Sequence, residues 1–133
     1  MAYSGPMEDK LAIRELIETY SDIVNRLDRN DLITLWTDDA TWFLLGQTIT
    51  GKPAIQKAWD GALERIEYVS FLSTPAAIEV EGNSAKSRSY IKEQLQLKDG
   101  SSRNIDGCYE DEFTRIDGKW LFSKRSYKVL RDF

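Results

Sequence analysis

The sequence predicts an α+β fold: a cone-shaped, curved and mostly antiparallel sheet wrapped around a long amino-terminal helix, with two further helices. Three observations indicate this fold class. Apolar residues recur at helical spacing at the start of the chain, helical segments precede the long extended segments, and two Asp-Gly pairs connect extended segments in the second half. Such a sheet would enclose a cavity. We expect a single domain over residues 1–133, with an ordered core of about 7–130.

The first predicted element is a long helix from Met7 to Asp28. Its apolar residues form one stripe at i, i+3, i+4 spacing: Leu11, Ile13, Leu16, Ile17, Tyr20, Ile23, Val24 and Leu27. A short second helix is expected from Leu32 to about Thr37, ended by Asp38 and Asp39. A third helix is expected to begin around Pro53, because proline is favoured in a first turn, and to run to about Ile66.

Extended segments fill the rest of the chain. One strand is expected at 40–45 and another from Tyr68 to about Glu81, interrupted near Pro75. Asp-Gly at 99–100 and at 117–118 favours tight two-residue hairpin turns, since both turn positions need positive φ. No repeat or linker separates the segments.

Each hairpin predicts a register. A two-residue turn at 117–118 pairs Phe113 with Phe122, and it places Lys124 opposite Asp111 and Arg125 opposite Glu110. The same reasoning at 99–100 places Tyr90 opposite Tyr109, and Arg88 opposite Asp111. We therefore expect the two tyrosines to lie side by side on the concave face, with a row of charged residues, Arg88, Asp111 and Lys124, on that same face.

The chain contains no histidine, which restricts its chemistry more than any motif. Histidine is the side chain that exchanges protons most readily near neutral pH and is the commonest metal ligand. Triads with a histidine base and histidine-ligated metals are thereby excluded. We expect no cofactor and no metal, so catalysis would depend on carboxylates, tyrosines, lysines or backbone groups.

Composition narrows the range of partners. The net charge of −4 argues against binding to nucleic acid, and no apolar run is long enough to span a membrane. Cys108 is the single cysteine, so an internal disulfide is impossible and a reducing, cytoplasmic location is expected. Four Trp, six Tyr and five Phe can fill a core or line an apolar pocket.

The order of these elements resembles the SnoaL-like group of the nuclear transport factor 2-like superfamily, which includes scytalone dehydratase and ketosteroid isomerase. The resemblance is carried by "LDRNDLITLWTDDATW", by "GKPAI" at the start of a helix, and by the last strands, "GCYEDEFTRIDGKWLFSKR". It implies a cone with an apolar pocket, and a homodimer built on the open sheet face. In dehydratase-like members, an aspartate after the first helix orients a histidine base. Asp28 matches the aspartate, whereas Ser70 stands in the place of the histidine.

These considerations give the candidate site residues. Asp28 would be the base if it points into the pocket with a raised pKa; otherwise it caps the next helix. Tyr90 and Tyr109 would donate hydrogen bonds to a ligand, or simply cap the core. Ser70 would be a minor polar contact, or a small strand residue. The ligand-lining rings would be Tyr20, Trp36, Trp42 and Phe71, which are also core candidates.

The resulting functional hypothesis is a cofactor-independent lyase or isomerase, dehydratase- or cyclase-like, acting on a hydrophobic small molecule. The alternative is a protein of the same fold that binds a small molecule or serves as a subunit scaffold without catalysis.

Overall fold

The computed structural model describes all 133 residues and confirms the α+β class. Helix α1 spans Met7–Asn25 and helix α2 spans Lys52–Arg65. The six strands are β1 (Trp36–Leu44), β2 (Gln47–Thr50), β3 (Ile66–Glu81), β4 (Ser84–Leu97), β5 (Ser102–Ile116) and β6 (Lys119–Asp132). They form one curved mixed sheet in the order β2-β1-β6-β5-β4-β3, in which only β1 and β6 are parallel neighbours. Neither helix is long and apolar enough to cross a bilayer.

Helix α1 packs its apolar stripe against the concave face of the sheet. Ile13, Ile17, Tyr20 and Ile23 are almost fully buried there. Most of the predicted stripe is buried, but Leu11 is 54% exposed, and the helix ends at Asn25 rather than at Asp28, so that Leu27 lies beyond it. Leu27 adopts a left-handed conformation with φ of 53°, and the amide of Asp28 donates to the carbonyl of Ile23 at 3.1 Å. This is a Schellman termination, which turns the chain away from the helix axis.

The predicted second helix is reduced to one 3-10 turn, Leu32–Leu35. Trp36 already begins β1, so Asp38 and Asp39 lie within a strand and do not end a helix. Both aspartates are exposed, while Trp36 and Ala40 on either side of them are fully buried. Local helical propensity is here overridden by pairing with β6 and by burial of Trp36.

The first long hairpin differs from its predicted register by one residue. The amide of Leu97 donates to the carbonyl of Ser101 at 2.8 Å, so the turn has three residues, and Gly100 takes a φ of 91°. Tyr90 therefore pairs with Cys108, and Tyr109 pairs with Ser89. The two tyrosines consequently lie on opposite faces of the sheet, because side chains alternate along a strand.

The second hairpin follows the predicted register only as far as Phe113 and Phe122. A bulge at Ser123 then shifts the pairing, so that Asp111 lies opposite Arg125 and Glu112 lies opposite Lys124. The predicted row of Arg88, Asp111 and Lys124 is therefore wrong. Strict alternation cannot anticipate an extra residue in one strand of a pair.

Candidate functional site

A cavity of about 200 Å³ lies between α1, α2 and the concave face of the sheet. Fifteen of its eighteen lining residues are hydrophobic, and the three others are Arg65, Glu93 and Arg103. A mostly apolar cavity with a few converging polar groups is the usual form of a small-molecule site. The chemistry available here therefore depends on one carboxyl group, two guanidinium groups and the tyrosine hydroxyls of the lining.

Glu93 is the acidic residue of the cavity. It sits on the inner face of β4, between Phe71 of β3 and Ile105 of β5 in the paired strands. Burial among these apolar neighbours raises its pKa to about 7, although the Tyr127 hydroxyl and the charge of Arg103 act in the opposite direction. A carboxyl group of this kind can accept and return a proton at neutral pH.

Tyr127, on β6, forms a hydrogen bond with the carboxyl group of Glu93. Its hydroxyl donates to Glu93 Oε1 across 3.5 Å, a long hydrogen bond. The phenol lies over Gly107, where an added Cβ would come within 2.6 Å of the Tyr127 hydroxyl. Because glycine has no side chain, position 107 of β5 leaves the space that the Tyr127 ring occupies. Burial raises the pKa of Tyr127, with a further contribution from Glu93, so the hydroxyl stays protonated and acts as a donor.

Three aromatic residues form a second polar group in the cavity lining. The indole Nε1 of Trp42 donates to the Tyr109 hydroxyl at 3.0 Å, and the hydroxyls of Tyr109 and Tyr20 lie 3.4 Å apart. When Tyr20 is the donor, the Tyr109 oxygen accepts two hydrogen bonds and its own proton is free for a ligand. Burial raises the pKa of Tyr109 well above its ordinary value. Tyr109 is thus a hydrogen-bond donor and not a base.

A fully buried ion pair between Arg125 and Asp111 packs against the two tyrosines of this group. Arg125 binds both carboxylate oxygens of Asp111, at 2.7 and 3.2 Å, and Ser87 donates to the same carboxylate at 3.3 Å. The Arg125 guanidinium also lies 3.7 Å from the centre of the Tyr109 ring and 4.3 Å from that of Tyr20. These stacking contacts fix the planes of both rings.

The sequence matches the profile of the SnoaL-like domain over residues 6–126. The chain belongs to the SnoaL-like domain family. This confirms the resemblance found in the sequence and with it the nuclear transport factor 2-like fold. Among proteins with curated functional descriptions, none matches this sequence.

Solved structures similar to this SnoaL-like chain include several enzymes. A proposed aromatic ring hydroxylase of Novosphingobium aromaticivorans is 25% identical, with a TM-score of 0.90 over 96% of this chain and 93% of that one. A proposed scytalone dehydratase of the same species is 21% identical, with a TM-score of 0.88 over 96% and 87%. The hexachlorocyclohexane dehydrochlorinase LinA-type3 of Novosphingobium barchaimii is 22% identical, with a TM-score of 0.86 over 96% and 90%. The neighbours thus include lyase-type proteins, and the last two likenesses show the fold alone.

Asp28 of this SnoaL-like domain does not line the cavity. Its carboxylate accepts the backbone amides of Asn30 and Asp31 at 2.9 and 3.2 Å, and Arg26 binds it at 3.0 Å. The two backbone hydrogen bonds lower its pKa, opposite to the rise expected for a base in an apolar pocket. The left-handed Leu27 is the cause, because it takes Asp28 out of the inward stripe of α1. Asp28 thus caps the turn that follows.

Ser70 and Tyr90 also lie outside the cavity. Both are on the outer face of the sheet, Ser70 next to Gln94 and Tyr90 next to Cys108, and Tyr90 is 49% exposed. Phe71 is the inward residue at this part of β3. A side chain that acted in the cavity from this strand would therefore occupy position 71 rather than position 70.

Four of the predicted residues do line the cavity: Tyr20, Trp42, Phe71 and Tyr109. Trp36 is fully buried and is not part of the lining, although its ring lies 5.7 Å from that of Trp42. It belongs to the core behind the site. The structure therefore brings together the aromatic part of the predicted site, and it separates these residues from Asp28, Ser70 and Tyr90.

Sequence reasoning missed Glu93, Tyr127 and the role of Arg125. A signal for Glu93 was present, because Ser87, Ser89, Ile91, Glu93 and Leu95 follow the inward alternation of β4 and Glu93 is the acid among them. Tyr127 and Arg125 gave no such signal. The bulge at Ser123 reverses the face to which strict alternation assigns them.

Proposed function

We propose that this SnoaL-like protein is a cofactor-independent lyase or isomerase that acts on a hydrophobic small molecule, with Glu93 as the base. The observation that carries the proposal is a carboxyl group with a pKa of about 7 in a mostly apolar cavity. In this reaction the Glu93 carboxylate removes a proton from a carbon atom. The electron pair of the broken C–H bond forms a double bond, either with loss of a leaving group or with return of the proton to a different carbon.

Tyr109 is the proposed partner of the base. Its hydroxyl would donate to the oxygen of the substrate on which negative charge develops. The Trp42 N–H, which donates to the same hydroxyl, makes that proton a better donor. Preorganised donors in a dry site are usually the largest single contribution to such reactions.

Proton exchange tests this function without knowledge of the natural substrate. Monocyclic ketones would be incubated with the protein in deuterium oxide, and the loss of the signal of the proton next to the carbonyl would be followed by NMR. We expect exchange with the wild type and none with Glu93→Gln, while Tyr90→Phe on the outer face exchanges at the wild-type rate. Exchange that is equal in Glu93→Gln, or absent from the wild type, would overturn the proposal.

A binding protein without catalysis is the second candidate, and Phe71 favours it. The large apolar ring of Phe71 fills an inward position of β3, and this strand lines the cavity with apolar side chains alone, Ile66, Val69 and Phe71. This candidate predicts ligand binding that is unaffected by Glu93→Gln, together with no proton exchange in any variant.

We also propose a homodimer through the open face of the sheet. Three large side chains are exposed on the outer surface of β3 and β4: Tyr68 (60%), Leu72 (62%) and Tyr90 (49%). Leu72 and Tyr90 are diagonal neighbours across the β3–β4 pair, and exposed apolar side chains that cluster in this way are typical of an interface. Light scattering should give the mass of a dimer for the wild type and of a monomer for Leu72→Asp.

We propose a cytoplasmic location, with which the single reduced cysteine, Cys108, is compatible.

A further inference from the structure

Two arginines of the cavity lining, Arg65 and Arg103, reach solvent, and we take the edge of the cavity that they form as its mouth. Arg65 is the last residue of α2, and Arg103 lies near the start of β5. Strand pairing brings them to the same end of the sheet, because Arg103 pairs with Leu95 on β4 and the Arg65 carbonyl accepts the amide of Lys98 at 2.8 Å. The mouth of an apolar cavity is thus marked by two cationic side chains.

These cations are only partly neutralised by the protein. Arg65 is exposed and makes no ion pair or side-chain hydrogen bond, and its guanidinium extends back over Gly61. Arg103 binds the Asp132 carboxylate through one nitrogen and keeps 38% of its side chain exposed. Glu93 is the acid of the lining. The cavity lining thus carries two cationic side chains and one acid, in a protein with a net charge of −4.

A groove next to the mouth has the same electrostatic character. It lies between α2 and the β1–β2 hairpin, has a volume of about 520 Å³, and shares Arg65 and four apolar residues with the cavity. Its lining contains Lys57 as a second cation and no acidic residue. A negatively charged ligand would therefore meet favourable charge along this approach.

We propose that the cavity takes a one-ring molecule that bears a carboxylate, with the ring among the apolar residues and the carboxylate at Arg65 and Arg103. The volume of about 200 Å³ suits one ring, since an apolar cavity of about 150 Å³ already holds benzene. The planar fork of a guanidinium matches a carboxylate through two parallel hydrogen bonds. This inference deepens the function proposed above and rests on it for the reaction, but binding can be measured separately.

Calorimetry with a matched pair of ligands tests the inference. The pair is cyclohexanecarboxylate and cyclohexanecarboxamide, which share the ring and differ in charge. We expect the wild type to bind the acid more tightly than the amide, and Arg65→Gln to weaken the acid about tenfold, as for one charge-assisted hydrogen bond, without changing the amide. Arg103→Gln should weaken the acid in the same direction. Lys119→Gln removes one positive charge at the start of β6, at the opposite end of the sheet from Arg103, and should leave both affinities unchanged.

Three results would overturn the inference: equal affinity for acid and amide in the wild type, equal weakening by Arg65→Gln and Lys119→Gln, or no binding of either ligand. Glu93→Gln separates this inference from the proposed function. If Glu93→Gln keeps the exchange activity while Arg65→Gln loses the preference for the acid, the carboxylate site stands and the role of Glu93 fails. The opposite pair of results leaves Glu93 as the base and removes the carboxylate from the substrate.

Discussion

The indole nitrogen of Trp42 and the phenol oxygen of Tyr109 lie 3.0 Å apart in the buried end of the cavity. They come from β1 and β5, 67 positions apart in the chain, and the hydrogen bond between them joins two strands that are not neighbours in the sheet. Because the Trp42 N–H has no other partner, the Tyr109 hydroxyl both satisfies a buried donor and presents its own proton to the cavity.

Tyr109→Phe should therefore reduce both activity and stability. Loss of one preorganised donor typically lowers kcat by about a hundredfold or more. The unpaired Trp42 N–H should lower the free energy of unfolding by about 1 to 3 kcal/mol. Proton exchange and urea unfolding measure the two effects, with Tyr90→Phe, which is on the outer face of the sheet and outside the cavity, as the matched control. An equal loss of activity in both variants would contradict this role for Tyr109.

The activity should depend on the ionisation of Glu93. Since the carboxylate is the base, the rate of proton exchange should rise as pH increases through about 7, the pKa of Glu93, and then level off. A pH–rate profile of the wild type tests this expectation. A rate that falls across the same range would mean that the protonated carboxyl group is the active form.

The free energy of unfolding should decrease over the pH range in which the activity rises. The pKa of Glu93 rises from 4.5 to about 7 on folding, so between these values the folded protein retains a proton that the unfolded chain has released. The resulting stabilisation is complete below pH 4.5 and is lost as pH rises through about 7. Glu93→Gln should remove this dependence and increase the free energy of unfolding above neutral pH by up to about 3 kcal/mol. Urea titrations of both proteins at several pH values would show whether the two curves converge at low pH, as expected.

Gly107→Ala should disturb Glu93 through Tyr127. The new methyl group would meet the Tyr127 hydroxyl at 2.6 Å, so the ring must move and its hydrogen bond to Glu93 is weakened. That bond lowers the pKa of Glu93, and its loss should shift the midpoint of the pH–rate profile upward. Tyr127→Phe provides the comparison, because it removes the bond without adding volume. An unchanged midpoint in both variants would mean that Tyr127 does not act on Glu93.

Arg125→Met should be severely destabilising. It leaves the fully buried Asp111 carboxylate without its partner, and breaking a buried pair in this way costs about 3 to 5 kcal/mol. Lys124→Gln breaks the neighbouring, half-exposed pair with Glu112 and should cost less than about 1 kcal/mol. Thermal unfolding of the two variants distinguishes the buried residue from the one that strict alternation would have chosen. Similar losses in both would contradict the register at Ser123.

The amphipathic pattern was sufficient to predict the fold class and the buried stripe of α1. Those features depend on burial repeated over many residues, so one local irregularity does not change them. The site depends on the direction of single side chains, and three local irregularities of the backbone change those directions. The left-handed Leu27 turned Asp28 outward, a three-residue turn at 98–100 separated Tyr90 from Tyr109, and the bulge at Ser123 exchanged Lys124 for Arg125. The turn and the bulge each shift the strand pairing by one residue, which is enough to move a side chain to the other face of the sheet.

The bulge also determines where this strand can change in length. Phe122 and Arg125 both face inward with two residues between them, so deletion of Ser123 would restore regular alternation and leave Arg125 and Tyr127 on the same face as before. A deletion at Ser126 would instead turn Tyr127 away from Glu93. Length variation among homologues that keep this interior should therefore be concentrated at the bulge, where a residue can be added or removed without changing which side chains face inward.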